Sequence, residues 1–137
     1  MGGTPSAGLG LMDFWTRRNW MTLAALGGFV AVAVGAFAAH GVQDPKAQEW
    51  LRTGSTYGFM HTMATFASAT FMQVGARRAR LAPAFFLSGV VLFSGSLYAM
   101  ALGAPRWLGM VTPIGGLLFL IGWGVLAWAA RGVDPQA

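Results

Sequence analysis

A chain of 137 residues that is 55% hydrophobic and only 9% charged carries about a third of the charge of an ordinary soluble domain, whose charged fraction is roughly 25%, so its solvent is lipid. The net charge of +5 comes from basic residues flanking apolar segments, where they orient spans and meet anionic lipid rather than nucleic acid. With no cysteine, disulfides, thiolate metal sites, iron–sulfur clusters and a catalytic thiol are all excluded.

The length allows one domain. Residues 1–19 read as an N-terminal tail: Met1 to Gly10 is rich in Gly, Ser and Pro and predicts disorder, and Leu11 to Trp15 offers Leu11, Met12, Phe14 and Trp15 to the membrane interface ahead of Arg17 and Arg18. The first span is predicted at about 20–40, apolar except for Thr22 and the closing His40 and long enough for the ~30 Å hydrocarbon core. Arg17, Arg18 and the small residues Ala36, Ala38 and Ala39 also fit a signal peptide. That reading is rejected because the apolar run exceeds the usual h-region of about 7 to 15 residues and more membrane segments follow.

Asp44 and Pro45 form a helix start, with a capping carboxylate and a proline at the first helical position. A short interfacial helix anchored by Trp50 and Leu51 is expected here. Gly54 and Ser55 either break it from the second span, about 54–76, or lie inside one long helix. The third span, about 82–102, has no formal charge and carries Ser94, Ser96 and Tyr98; the fourth, about 108–130, has Trp107, Trp123 and Trp128 as interface anchors. A short tail, 132–137, closes the chain.

The expected fold is an all-α integral membrane protein, a four-helix antiparallel bundle with 20–131 as the membrane domain. Arg17, Arg18, Arg77, Arg78, Arg80 and Arg131 fall on one side, against Lys46, Arg52 and Arg106 on the other; positive flanks stay inside, so both termini should be cytoplasmic. Small residues should mediate helix contact: Gly27 and Gly35 in the first span, Gly95 in the third, and Gly115, Gly116 and Gly122 in the fourth. In the second span Tyr57, His61, Ala64 and Ser68 share the face expected to look inward.

This topology predicts one polar layer near the outer surface, made of His40, Tyr57, His61, Ser94, Ser96, Tyr98 and Thr112. The plain account is structural: His61 bonded to Tyr98 or a serine, His40 capping a helix end, and the serines satisfied on carbonyls one turn back. Imidazoles and phenols also suit a haem, quinone, lipid or small-solute ligand, although no such group is required. Asp13, Asp44, Glu49 and Asp134 all lie outside the spans, which argues against proton-coupled transport. No nucleophile elbow supports a hydrolase, so no catalytic or metal-binding residue is assigned.

The segments GAFAAHG (35–41), W-x-x-T-G-x-x-Y-x-x-x-H-T-x-A (50–64), GVVLFSGSLYAMAL (89–102) and VTPIGGLLFLIGW (111–123) resemble the YgdD-like family of small inner-membrane proteins, a domain of unknown function. The resemblance spans roughly Trp20 to Ala130. It implies a four-helix membrane protein whose first span is retained, and recurrent positions at Gly35, His40, Gly41, Thr53, Gly54, Tyr57, His61, Ser94, Gly95, Ser96, Tyr98, Thr112, Pro113, Gly115 and Gly116. Ala38 stands where the family usually has glycine, and Gly58 where a longer residue is common. The resemblance brings no activity with it. The expected function is that of a non-enzymatic accessory or interaction protein, a homo-oligomer or a subunit of a larger membrane complex; a small-ligand binder or conductor is the alternative.

Overall fold

In the computed structural model residues 13–136 are described. They form four long helices: α1 (Arg17–His40), α2 (Pro45–Gln73), α3 (Ala82–Ala101) and α4 (Thr112–Ala130), with 3-10 turns at Arg77–Leu81 and Arg106–Met110 preceding α3 and α4. The expected tail over 1–10, together with Leu11 and Met12, lies outside the described residues; Phe14 and Trp15 are exposed.

Local chemistry sets the helix ends. The Thr16 hydroxyl caps α1 by accepting from the Asn19 N–H. Asp44 caps α2 by accepting from Ala47 N–H at 2.9 Å, and Pro45 supplies a helical first residue that has no N–H to satisfy. The helix then runs unbroken through Gly54 and Ser55, so the interfacial helix and the second span are one rod of 29 residues, about 43 Å long. Chain reversal after α2 and after α3 falls on Gly75 (φ +98°) and Gly103 (φ +103°), a left-handed conformation in which a side chain is strained. The C-terminal segment docks rather than trailing away: Asp134 N–H donates to Val74 O at 3.0 Å, and Val133 packs against the buried cluster that includes Ala76, Phe86 and Ala129.

The helices pack in chain order, α1 on α2, α2 on α3 and α3 on α4. The arrangement differs from the expected compact bundle, because α1 and α4 form no extensive interface with each other and α2 and α3 make the inner pair. The interior is small and polar. Alanines dominate its apolar part, and His61, Thr62, Thr65, Ser68, Ser94 and Ser96 are buried, whereas Phe29, Val32, Val91, Leu117 and Leu120 face outward. Large apolar groups outside and satisfied polar groups inside suit a chain whose solvent is hydrocarbon.

Among the described residues three segments, Arg17–His40, Arg77–Ala101 and Arg106–Ala130, are long and apolar enough to cross a membrane. The expected second span is not among them. Lys46, Glu49 and Arg52 sit in its first turns, and its inward positions are hydroxyls and imidazole, which lower hydropathy without exposing polarity. Thr62, Thr65 and Ser68 return their hydroxyls to Phe59 O, His61 O and Ala64 O at 2.9, 2.8 and 3.1 Å, and Ser55 donates across to Ala31 O of α1.

Candidate functional site

Helix contacts place the polar side chains, and glycine sets how closely the helices approach. On α4, Gly122 receives the ring of Phe86 from α3; on α3, Gly89 receives Phe119 from α4. The two aromatic knobs interlock. Gly115 lies against the backbone of Phe93, so closely that a Cβ there would sit 2.7 Å from the Phe93 Cβ. Where α2 meets α3, Gly54 and Gly58 face Tyr98 and Ser94; where α1 meets α2, Gly27 faces Thr62 and Gly35 faces Ser55. The predicted packing glycines therefore separate. Gly27, Gly35, Gly115 and Gly122 are at close approaches, Gly116 makes only an ordinary contact at 3.9 Å, and Gly95 has nothing within 4 Å. Gly95 borders a cleft that it shares with Leu26, Gly27 and Val30 of α1 and Gly58 of α2, so it contributes no close approach of backbones. Gly54, Gly58 and Gly89, not singled out from the sequence as contact positions, do.

His61 sits over the interlocked pair. It is 3% exposed, stacked on Phe119 with ring centroids 3.6 Å apart and planes 7° apart, and flanked by Phe86 at 5.8 Å. Trp123 Nε1–H donates to His61 Nε2 at 3.1 Å, and the other ring nitrogen lies 2.6 Å from Tyr57 O. An indole N–H only donates and a carbonyl only accepts. Together they select the neutral imidazole with its proton on Nδ1, and both ring nitrogens are satisfied.

The polar residues expected to form one layer fall into separate groups. Tyr98 lays its ring on Gly54, and Ser94 donates to Gly54 O at 2.6 Å, tying α3 to α2. His61 is seven residues further along α2, about 10 Å deeper, and bonds Trp123 rather than Tyr98 or a serine. Ser96 does bond one turn back, to Phe93 O at 2.9 Å, and also meets the Thr112 hydroxyl at 2.6 Å across the α3–α4 interface. Ser94, expected to bond within its own helix, reaches across to the Gly54 carbonyl instead, its hydroxyl lying where a side chain on Gly58 would stand. His40 ends α1 in an exposed position, and Tyr57 is 43% exposed although its helical face was expected to look inward. The partner that sequence reasoning missed is Trp123, read there as an interface anchor. The available signal was its spacing of four from Phe119, which puts both aromatics on one face of α4.

Beside His61 a cleft of about 440 Å³ opens between α2, α3 and α4, lined by Tyr57, Met60, Phe93, Phe119, Leu120 and Trp123. Its walls are apolar and aromatic. Among the described residues no group of three or more His, Cys, Asp or Glu is placed to hold a metal ion.

The family described as "Protein of unknown function (DUF423)" matches residues 34–116, the stretch from the last two turns of α1 to the first turn of α4. A "UPF0382 membrane protein" of Haemophilus influenzae is 46% identical over 117 residues, covering 83% of this chain and 94% of the relative. The "UPF0382 inner membrane protein YgdD" of Escherichia coli K12 is 40% identical over 118 residues, covering 81% and 88%. A "UPF0382 membrane protein" of Staphylococcus epidermidis is 37% identical over 115 residues, covering 82% and 94%. No solved structure matches the chain significantly.

Proposed function

The chain belongs to the DUF423 family, whose relatives are membrane proteins of unknown function, and from that membership we propose that it is a four-span, non-enzymatic accessory protein of the bacterial inner membrane that works through its lipid-facing surface. Both termini are cytoplasmic in this reading. Six arginines, Arg17, Arg18, Arg77, Arg78, Arg80 and Arg131, flank one end of the helices, against Lys46, Arg52 and Arg106 at the other, and positive flanks remain inside. The fourth span is α2, which packs between α1 and α3.

One observation carries the functional reading. Among the described residues every buried polar side-chain atom has a hydrogen-bond partner, so the interior is consumed in holding the helices together, while α1 and α4 turn large apolar side chains outward from opposite ends of the array. Interaction with a second copy or another membrane protein then falls to those outer faces. A photo-crosslinking residue at Val32 of α1 or Leu117 of α4, in intact membranes, should give discrete adducts. A lone monomer by native mass spectrometry from nanodiscs, with no adduct at either position, defeats the proposal.

The cleft beside His61 supports a second reading, a site for a flat apolar headgroup such as a quinone or haem. Displacing Trp123 frees His61 Nε2 as a hydrogen-bond or ligating atom. Purified protein that carries no chromophore or co-purifying small molecule, and behaves alike with His61→Ala, rules this out.

A further inference from the structure

A second cavity lies away from His61, where the start of α1 meets the end of α2 and the start of α3. It encloses about 680 Å³, its apolar walls are Trp15, Trp20, Met72, Leu81 and Phe85, and two arginines, Arg17 and Arg80, complete its lining. That volume lies within the roughly 300–1,000 Å³ of pockets that take organic ligands. We infer that this cleft is a binding site for an anionic phospholipid, with the phosphate held between Arg17 and Arg80 and an acyl chain lying along Trp20, Met72 and Phe85.

The charge argument is specific to these two side chains. Among the described residues the one ion pair is Lys46 with Glu49, at the opposite end of the helices, so neither Arg17 nor Arg80 is neutralised by a carboxylate. Arg17 points a guanidinium nitrogen to the sulfur of Met72, one of the walls of the cleft, at 3.9 Å. The neighbouring Arg78 is engaged differently, stacked over Trp128 at 4.3 Å from the ring centroid. Asp134, a carboxylate near this end, accepts from Gln136 N–H.

The shape argument selects a lipid over a free anion. Inorganic phosphate would meet the two arginines but leave the tryptophan, methionine and phenylalanine walls uncovered. A zwitterionic phospholipid fits the walls but brings an ammonium toward two guanidiniums. An anionic headgroup with an attached chain satisfies both halves of the cleft. Trp15 and Trp20 further suit the headgroup level, where amphipathic rings concentrate. The site needs only that the chain lies in a membrane, and is independent of whether the outer faces of α1 and α4 bind a partner.

The test is native mass spectrometry of the full chain released from nanodiscs containing equal phosphatidylglycerol and phosphatidylethanolamine. The wild-type protein should retain phosphatidylglycerol preferentially. Each of Arg17→Gln and Arg80→Gln should weaken that retention roughly five-fold, and the pair roughly twenty-five-fold, as expected of a contact worth about 1 kcal/mol per arginine at a membrane surface. The charge-matched pair Arg52→Gln/Arg106→Gln, at the far end, should leave it unchanged. Ala84→Trp, which fills the cleft with both arginines in place, should abolish it, and decides the matter should the arginine pair fail to fold. Equal retention of both lipids, equal losses from the two arginine pairs, or full retention by Ala84→Trp overturns the site.

Discussion

Trp123 of α4 donates its indole N–H to Nε2 of His61 on α2 at 3.1 Å, joining two helices that are not sequence neighbours. Through this bond the imidazole is locked as its Nδ1–H tautomer over Phe119. A buried histidine that looks like a candidate ligand from sequence is thereby a fully bonded structural element, and its release depends on one side chain.

The tautomer is directly measurable. Nitrogen NMR of histidine-labelled protein in nanodiscs should show His61 as neutral imidazole protonated on Nδ1. In Trp123→Phe, which keeps the aromatic surface but removes the donor, that preference should weaken and stability to unfolding in mixed micelles should fall by about 1 kcal/mol. An Nε2–H tautomer in the wild type would contradict the bond.

Glycine positions that look alike in sequence should respond oppositely to alanine. Gly115→Ala drives a methyl into the Phe93 backbone, which cannot rotate away, and should cost about 3 kcal/mol. Gly95→Ala meets nothing within 4 Å and lies in a helix without positive φ. It should be neutral or stabilise by up to ~1 kcal/mol, because alanine loses less backbone freedom. Comparing thermal unfolding of the two variants in one detergent settles this, and equal effects would show that the α3–α4 approach is not glycine-limited.

The Ser96–Thr112 contact should behave as a pair. A double-mutant cycle of Ser96→Ala and Thr112→Val should return a coupling of about 0.6 kcal/mol, the usual size for a hydrogen bond between helices in a bilayer. Additive losses would mean that Ser96 relies on Phe93 O alone, the other acceptor it reaches at 2.9 Å.

Because the chain has no cysteine, single cysteines report topology without background. In spheroplasts, Arg78→Cys and Arg131→Cys should resist a membrane-impermeant maleimide, while Lys46→Cys and Arg106→Cys should react. Labelling at 46 but not at 106 would mean that α2 does not cross the membrane and the chain has an odd number of spans.

Much of the site was legible in part. Composition, apolar run length and arginine placement are additive along the chain, so the membrane environment and the helix limits near His40, Leu81 and Ala130 could be read from it directly. Asp44–Pro45 predicted the start of α2 for the same reason, since a cap is made within a few residues. The fate of Gly54 and Ser55 was not decidable in this way: glycine weakens an isolated helix, and the groups packed on α2 there, the ring of Tyr98 and the hydroxyl of Ser94, come from another helix.

What the sequence determined by itself was a lipid-solvated, all-helical chain with polar residues on helical faces, because period and hydropathy need no partner. Tertiary structure alone decided what those residues touch. The rise along α2 separates Gly54 from His61 by about 10 Å, so the expected single layer divides between a Ser94–Tyr98 contact and a His61–Trp123 contact. Likewise Arg17 and Arg80, 63 positions apart in the chain, come to share one apolar cleft only when α1 and α3 both pack on α2 and meet beside it. Hydrogen bonds and clefts between helices depend on which faces meet and at what depth, and that is a property of the packed helices rather than of any one of them.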